Sequence, residues 1–261
     1  MKSSGAQAPG ELNSRGDDKT TQAHWEDAWS TPPRMRLPPP WNLSIRNAKR
    51  LLKKHVRPDA RFLEIGCAPG KMLAWVASAL GAQVAGIDAS EKGIGHARNL
   101  FAMLRIPADL RQEDIRSHTL PRASFDVVYS CGLVEHFTDP APLVRIHVEL
   151  VKPGGKTLIA IPNYSGWWGA PHRWLDPEVL EWHNCDIMSP AALQALAPRD
   201  LVGTTRAYRA GRLSLSHVVP TRVIPAPISR LIHALGDCVG LLQPRDVPLL
   251  APMLVLEMTR R

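Results

Sequence analysis

The residues best placed to bind a ligand follow two short apolar segments. The first segment ends at Ile65 and passes into Gly66-Cys67-Ala68-Pro69-Gly70, and the second ends in Asp88. Glycines in such a turn let the backbone approach a ligand closely, and an acidic residue at the end of the next strand can accept both hydroxyls of a ribose. The turn lacks both the GxGxxG spacing that cradles a pyrophosphate and the Lys-Ser/Thr pair of a phosphate loop. A turn alone would also suit a purely structural role, but with Asp88 it predicts a ligand with a ribose and no phosphate.

Two histidines are the candidates for proton transfer. His136 follows Glu135 after the fourth apolar segment, and His183 stands in the run Trp182-His183-Asn184-Cys185-Asp186. Histidine ordinarily titrates near neutral pH, so it can serve as a general base there. For Glu135 and His136, bracing of the next helix is an equally good interpretation.

Alternating strand and helix patterns must position these residues. Between residues 60 and 163 the sequence predicts five short strands separated by helices, and it predicts two further strands at 201–211 and 252–260. Alternation at this spacing gives parallel strands joined by right-handed crossovers, which is a doubly wound α/β sheet. The glycine turn then follows the first strand, and Asp88 ends the second.

Five segments of this region resemble the signature motifs of class I S-adenosylmethionine-dependent methyltransferases, in order and in spacing. They are Glu64–Gly70, Asp88, Glu113–Ile115, Phe125–Val128 with Val134–Phe137, and Leu150–Gly155. The resemblance covers about residues 60–163 and is greatest to the small-molecule branch that includes ubiquinone-biosynthesis O-methyltransferases. It implies a seven-stranded Rossmann-like sheet with an antiparallel last strand, S-adenosyl-L-methionine as cofactor, and methyl transfer as the activity.

The resemblance also implies a role for each matching position. Glu64 would orient the glycine loop and help to hold the methionine amino group of the cofactor, while Asp88 would bind the ribose hydroxyls. Asp114 would accept a hydrogen bond from the adenine amino group, and Ile115 would pack on the adenine ring. The other predicted cofactor-binding residues are Gly66, Cys67, Ala68, Gly70, Ala89 and Cys131. For the two cysteines, a role as small buried residues near a strand end is at least as good an interpretation.

Methyl transfer to a hydroxyl requires a group that removes a proton from the acceptor. We expect His136 with Glu135, or alternatively His183, to do so, and Tyr164 to donate a hydrogen bond to the acceptor. The pair Glu135-His136 also resembles part of a metal-binding set in ubiquinone-type enzymes. That set begins with a carboxylate three residues before the glutamate, where this chain has Gly132, so no metal is predicted.

Tryptophan clusters outside the motif region. Four of the eight tryptophans lie between residues 167 and 182, and three more lie between residues 25 and 41. Such side chains can wall an apolar pocket or stack on a flat acceptor; the alternatives are the core of a small cap and a dimer contact. The predicted substrate-binding residues are Trp41, Trp167, Trp168, His172 and Trp182. Trp25, Trp29 and Trp41 are predicted to form the opposite side of a lid.

Composition excludes several classes of protein. A chain of 261 residues with 44% hydrophobic residues fits one large domain and excludes global disorder. No apolar run approaches the length of a membrane span, and residues 1–20 contain no secretory signal. The four cysteines are widely spaced, which suits a reducing compartment, so a cytoplasmic location is predicted.

The net charge of +8 is uneven: it is +6 over residues 1–57, zero over 58–163 and +2 over 164–261. Because the motif region is neutral and no aromatic residues interleave with the basic run Arg46–Arg57, nucleic acid is not the expected partner. A small-molecule acceptor is expected instead, and a homodimer is left open. An RNA or protein methyltransferase and a non-catalytic cofactor-binding scaffold are the alternative functions.

The predicted organisation follows from these segments. Residues 1–20 are predicted to be a disordered tail, 21–57 an N-terminal cap segment, and 58–261 the methyltransferase domain. Within that domain, 164–188 is the predicted acceptor-pocket loop and 212–248 an insertion between the last two strands. The insertion is interpreted as a membrane-surface or dimer-contact segment, although its prolines argue against one long amphipathic helix.

Overall fold

The computed structural model of the chain describes residues 18–39 and 42–261, and it centres on a seven-stranded sheet. The strands are β1 (Arg61–Ile65), β2 (Gln83–Asp88), β3 (Asp109–Gln112), β4 (Phe125–Cys131), β5 (Val151–Pro162), β6 (Val202–Ala210) and β7 (Met253–Arg260). Their order is β3-β2-β1-β4-β5-β7-β6, and β7 is antiparallel to both of its neighbours. The predicted doubly wound sheet with an antiparallel last strand is confirmed.

Helices flank the sheet and precede it. They are α1 (Gln22–Ala28), α2 (Leu43–His55), α3 (Lys71–Leu80), α4 (Glu91–Leu104), α5 (Ala141–Leu150), α6 (Ala170–Leu175), α7 (Glu178–Glu181), α8 (Pro190–Ala195) and α9 (Ala226–Leu242). The hydroxyls of Ser90 and Ser189 cap α4 and α8 by accepting hydrogen bonds from backbone N–H groups in the first turn. Among the helices that the structure describes, none is long and apolar enough to cross a membrane.

Side-chain alternation along the strands divides the core between the two faces of the sheet. Phe62 of β1 packs with Val127 and Tyr129 of β4 on one face. Leu63 and Ile65, the intervening residues of β1, belong to the cluster on the other face. Because successive side chains of a strand point to opposite faces, each strand needs apolar residues at nearly every position, as these buried strands have.

A Pro-Gly-Gly run lies near the start of β5. Helix α5 ends at Leu150, and the run Lys152–Gly155 lies inside the strand. Val151 pairs with Phe125, but the next paired residue of β5 is Lys156, opposite Val127. The strand therefore begins before the Pro-Gly-Gly run and tolerates it as an irregularity in register.

The prolines of the insertion do not prevent a helix. Pro225 precedes α9 and Pro227 occupies its first turn, where a missing N–H costs no intrahelical hydrogen bond. Helix α9 then runs for 17 residues without interruption. The expectation that prolines exclude a long amphipathic helix here was wrong, because they stand at its start.

The predicted tail boundary at residue 20 is also corrected. The backbone N–H of Lys19 donates to the carbonyl oxygen of His136 at 2.9 Å, and Asp18 forms an ion pair with Arg116. These residues therefore pack against the domain instead of belonging to a tail. Residues 1–17 and Trp41, one of the predicted substrate-binding residues, lie outside the described residues.

Gly70 provides a test of how tightly α3 and α4 pack. Its φ is +81°, and a Cβ placed there would stand 2.8 Å from the Cβ of Ala97. We expect Gly70→Ala to lower the free energy of unfolding by about 2–4 kcal/mol, from left-handed strain together with overpacking. Gly154 has a similar φ of +79° with nothing within 4 Å, so Gly154→Ala should cost only the strain of about 1 kcal/mol. Urea denaturation measures both; equal losses would contradict the packing argument.

Candidate functional site

A cavity of about 230 Å³ opens at the carboxyl ends of β1, β2 and β4. Predicted cofactor-binding residues line much of its wall: Gly66, Ala68, Asp88, Ala89, Asp114, Ile115 and Cys131. His136, a predicted catalytic residue, lines it too, as do Trp25 of α1 and Trp29, which follows that helix. The structure thus brings the cofactor motifs, one candidate base and the N-terminal segment to one cavity.

The glycine turn and Asp88 are held together by hydrogen bonds. Gly66 has a φ of +72°, which glycine adopts without strain, and its N–H donates to the carbonyl oxygen of Ile87 at 2.8 Å. The Asp88 carboxylate accepts hydrogen bonds from the backbone N–H groups of Ala68 and Ser90, both at 3.0 Å. Asp88 therefore stands at the cavity in a fixed orientation.

A row of three ion-paired side chains lies on the cavity wall beside Ile115. The Asp114 carboxylate caps the turn that follows β3 and forms an ion pair with Arg116 at 2.6 Å. Arg116 also pairs with Asp18 of the N-terminal segment, again at 2.6 Å. The carboxylate that the resemblance assigns to adenine recognition is thus linked to the segment that covers the cavity.

The N-terminal segment is anchored at several points over the cavity. The Glu26 carboxylate accepts hydrogen bonds from the N–H groups of Glu91 and Lys92 at the start of α4. The carbonyl oxygen of Trp29 lies 3.0 Å from Nε2 of His96. These contacts hold Trp25 and Trp29 against the cavity, in the covering position predicted for them.

Three predicted cofactor residues support the cavity from behind. Gly70 packs against α4, and Cys67 is buried beneath Gly86, where an added Cβ would stand 2.7 Å from the cysteine Sγ. Glu64 is also buried; burial, followed by the charge of Asp88, raises its pKa to about 8, while a hydrogen bond from the backbone N–H of Leu73 partly offsets this. Glu64 thus contacts the start of α3, and its predicted role toward the cofactor stays a prediction. For Cys67, the structure favours the small buried residue over a cofactor contact.

The candidate catalytic residues form one cluster. The rings of His136 and His183 lie 4.6 Å apart between centroids, and the ring of Tyr164 lies 5.0 Å from His183. Nδ1 of His136 lies 2.8 Å from the carbonyl oxygen of Trp182, and Nδ1 of His183 lies 2.5 Å from that of Val179. A carbonyl only accepts, so each Nδ1 carries the proton and each Nε2 keeps its lone pair.

Burial shifts the pKa of each group in this cluster toward its neutral form. It lowers the pKa of His136 to about 3, assisted by the neighbouring His183, and it also lowers the pKa of His183 itself. Burial raises the pKa of Glu135 to about 8 and places that of Tyr164 above its usual value. At neutral pH both imidazoles are therefore uncharged.

The predicted substrate-binding aromatics have separate locations. Trp182 borders the cluster, where its ring contacts His24, and His172 contacts Tyr164. Trp168 is buried in a small cluster with Leu213 and Val218, and Trp167 stacks on it. Neither Trp167 nor Trp168 is among the described residues that line the cavity. Their placement agrees with the alternative interpretation, the core of a small cap.

The cluster also contains a set of atoms able to hold a metal ion. One ligand atom from each of Glu135, His136 and His183 lies within 4.8 Å of the other two. The sequence shows the missing carboxylate at Gly132, whereas only the fold brings His183 next to Glu135 and His136. The absence of a metal stays a prediction: EDTA treatment should leave methyl transfer unchanged, and elemental analysis of the purified protein should find no stoichiometric metal. One bound metal per chain would contradict it.

The buried carboxyl of Glu135 predicts a pH-dependent effect on stability. Burial raises the pKa of this carboxyl from 4.5 to about 8 in the folded chain. Its contribution to the free energy of unfolding is therefore fully present below pH 4.5 and is lost as the pH rises toward 8. Glu135→Gln removes this loss, so relative to the parent it should gain about 3 kcal/mol in free energy of unfolding between pH 5 and pH 8. Urea denaturation across this range measures the gain, with exposed Glu91→Gln as the control. A gain that does not change with pH would contradict the prediction.

Comparison with known proteins identifies the class of domain. Residues 63–159 match the family model "Methyltransferase domain". The chain is 40% identical over 106 residues to the ubiquinone biosynthesis O-methyltransferase of Neisseria meningitidis, covering 40% of this chain and 44% of that protein. It is 32% identical over 108 residues to phosphoethanolamine N-methyltransferase 1 of Arabidopsis thaliana, covering 41% and 22%. The chain thus spans less than half the length of these curated relatives.

Solved structures agree with the fold. Phosphoethanolamine N-methyltransferase 2 of Haemonchus contortus, solved with S-adenosyl-L-methionine, superposes with a TM-score of 0.58 at 16% identity, over 82% of this chain and 52% of that one. A possible histamine N-methyltransferase of Thermotoga maritima gives 0.58 at 15% identity, over 85% and 91%. The described chain therefore has the fold of class I S-adenosylmethionine-dependent methyltransferases, and residues 63–159 match their domain model.

Proposed function

We propose that this chain transfers the methyl group of S-adenosylmethionine to a hydroxyl oxygen of a small-molecule acceptor. One observation carries the proposal: a single cavity is lined by Gly66 and Asp88 of the cofactor motifs and by His136 of the histidine cluster. Methyl transfer to oxygen needs both an oriented methyl donor and a proton acceptor, and here the two groups of residues share one enclosed space.

The cavity wall fits the cofactor. Asp88 and Asp114 present carboxylates for the ribose hydroxyls and the adenine amino group, and Ile115 offers an apolar surface to the ring. When bound, S-adenosylmethionine supplies a methyl group on a positively charged sulfur.

The histidine cluster supplies the proton acceptor. Because Nδ1 of His136 faces the carbonyl oxygen of Trp182, its Nε2 is free to accept a proton from an acceptor hydroxyl. His183 lies beside it in the same tautomer and offers a second acceptor atom. Tyr164, whose raised pKa keeps its hydroxyl protonated, would donate a hydrogen bond to the acceptor. Trp25 and Trp29 cover the cavity and limit the access of water.

The surface charge favours a small acceptor over RNA. The basic residues of α2 lie on the flank of the sheet, whereas Arg116 is the only lysine or arginine among the described residues that line the cavity, and it is paired with Asp18 and Asp114. RNA bound to the basic residues of α2 would therefore find no further unpaired basic side chains among the described residues that line the cavity. An oxygen acceptor also agrees with the class of chemistry in the name of the Neisseria relative.

A labelled-methyl assay tests the proposal. The purified chain is incubated with S-adenosylmethionine carrying a tritiated methyl group and with panels of phenols and catechols, of primary amines, and of RNA. We expect label in an oxygen-methylated product and none in RNA. Label in amines or RNA alone would replace the proposed acceptor class. Tight cofactor binding, measured by calorimetry, without turnover on any panel would favour the non-catalytic scaffold.

A further inference from the structure

Arg222 of the insertion between β6 and β7 lies against the segment that carries Trp182. Its guanidinium carbon is 4.8 Å from the centroid of the Trp182 ring, a distance typical of a cation–π contact. Nη1 of Arg222 is also 2.8 Å from Oε2 of Glu178 and 3.7 Å from Oδ1 of Asp176. Asp176 and Glu178 lie at the start of α7, and Trp182 follows its end. One side chain of the insertion therefore contacts both ends of this short helix.

The carboxylate of Asp176 favours a cation at this position. Asp176 is buried, and its Oδ2 has no hydrogen-bond partner within the described chain. Among the ion pairs of the described residues, Arg222 supplies the only cation paired with Asp176 or Glu178. Removing the cation from a buried carboxylate leaves a charge that water does not reach. The half-exposed side chain of Arg222 is thus held in place by more than a surface ion pair.

The Trp182 ring is held from a second direction by the N-terminal segment. The ring of His24 lies 4.8 Å from it between centroids, with 64° between the two planes. The backbone N–H of Trp182 donates to the carbonyl oxygen of Glu178. Trp182 is therefore fixed by three parts of the chain, which are the insertion, α1 and α7.

The backbone carbonyl of Trp182 in turn orients His136. Its oxygen lies 2.8 Å from Nδ1 of His136, so the proton is on Nδ1 and the lone pair on Nε2. His183, the residue after Trp182, has its ring 4.6 Å from that of His136 between centroids. A displacement of Trp182 would therefore change the orientation of His136 and the nitrogen that carries its proton.

We propose that Arg222 is a positioning residue, which holds Trp182 where its carbonyl oxygen keeps His136 in the Nδ1–H tautomer. Arg222 is not among the described residues that line the cavity, so it acts through Trp182. The insertion thereby contributes to the acceptor half of the site. Its consequence for turnover rests on the proposed function, in which His136 accepts a proton, whereas its effect on the tautomer does not.

Nitrogen-15 NMR of the full chain with labelled histidine tests the proposal without an acceptor. In a neutral imidazole the protonated nitrogen and the nitrogen with the lone pair have separate resonances, so the spectrum reports the tautomer. Loss of signals in His136→Ala identifies those of His136. We expect the Nδ1–H tautomer in the parent and in Arg222→Lys, which keeps the charge, and a mixture of tautomers in Arg222→Gln. Unchanged His136 signals in Arg222→Gln would overturn the proposal.

Steady-state kinetics with the acceptor found in the labelled-methyl assay measure the consequence for turnover. Arg222→Gln should lower kcat by about three- to tenfold, the loss expected for one cation–π contact and one partly exposed ion pair. The KM for the acceptor should not change, and Arg222→Lys should retain most of kcat. Glu178→Gln removes one ion pair but leaves the arginine on the ring, so its effect should be smaller. A raised acceptor KM with unchanged kcat would contradict positioning, since Arg222 would then bind the acceptor.

Controls separate positioning from folding and from the proposed base. Arg230→Gln removes an exposed arginine of α9 in the same insertion and should change neither the tautomer nor kcat. Calorimetry with S-adenosylmethionine shows whether Arg222→Gln is folded. If His136→Ala does not slow turnover, the proposed base is wrong, and the NMR spectrum alone decides the role of Arg222. If His136→Ala slows turnover but folded Arg222→Gln does not, the role of Arg222 is refuted and the proposed function stands.

Discussion

Replacement of Asp88 by alanine should weaken the binding of S-adenosylmethionine by about 100-fold or more. The carboxylate stands at the cavity, and two hydrogen bonds from ribose hydroxyls to a charged group are each worth about 1.5–3 kcal/mol. The same carboxylate accepts from the N–H groups of Ala68 and Ser90, so its loss also loosens the glycine turn. Isothermal titration calorimetry measures the affinity directly and needs no acceptor.

The controls for this variant separate recognition from folding. Asp109→Asn removes a carboxylate from an exposed position on the neighbouring strand β3 and should leave the affinity unchanged. Thermal unfolding without cofactor shows how much of the Asp88→Ala effect belongs to the turn. Unchanged affinity in a folded Asp88→Ala protein would refute the assignment of this carboxylate to the ribose.

Replacement of His136 by alanine should lower kcat for the hydroxyl acceptor by about 10²–10⁴-fold, the usual range for loss of a general base. The affinity for S-adenosylmethionine should remain within a few-fold, because the predicted cofactor contacts lie on β1, β2 and the turn after β3. His183→Ala should lower kcat less, since His183 is absent from the described lining of the cavity. Steady-state kinetics with the acceptor found in the labelled-methyl assay gives both values.

The pH dependence of kcat and further histidine variants test whether His136 acts as a base or has only a structural role. Since burial lowers the pKa of His136 to about 3, that imidazole is neutral above this value, and its protonation should not limit kcat between pH 5 and pH 8. His233 of α9 is not among the described residues that line the cavity, so it offers a matched control, and His233→Ala should retain kcat. If neither His136→Ala nor His183→Ala slows turnover, the cluster is structural and the proposed base is wrong.

The cofactor half of the site could be predicted from the sequence. Gly66 and Asp88 lie in strand–turn–helix units whose geometry is local, so spacing along the chain indicated where they would meet. The parallel pairing of β1 with β2 then places the glycine turn beside Asp88. Glu64 and Gly70 were found by the same signal, although the structure places them behind the cavity wall.

The acceptor half could not be predicted in the same way. His136 and His183 are brought together by packing between distant segments, including the hydrogen bond from Asn184 N–H to the carbonyl oxygen of Glu135. Composition drew attention to Trp167 and Trp168, but their partners are Leu213 and Val218, which belong to the insertion. Tryptophan content shows that apolar surface is available without showing which segment covers it.

The sequence by itself determined the fold, the cofactor motifs and the residue types able to move a proton, because period-two strands and short turns depend on neighbours in the chain. Only the tertiary structure decided that His183 joins His136, and that the leucines of α9 face solvent. Those outcomes depend on contacts between segments far apart in the chain, such as the fit of Gly236 and Gly240 against Leu215 and Leu213. A hydrophobic pattern specifies a face to be buried or presented, whereas the partner of that face is chosen by the packing of the whole domain.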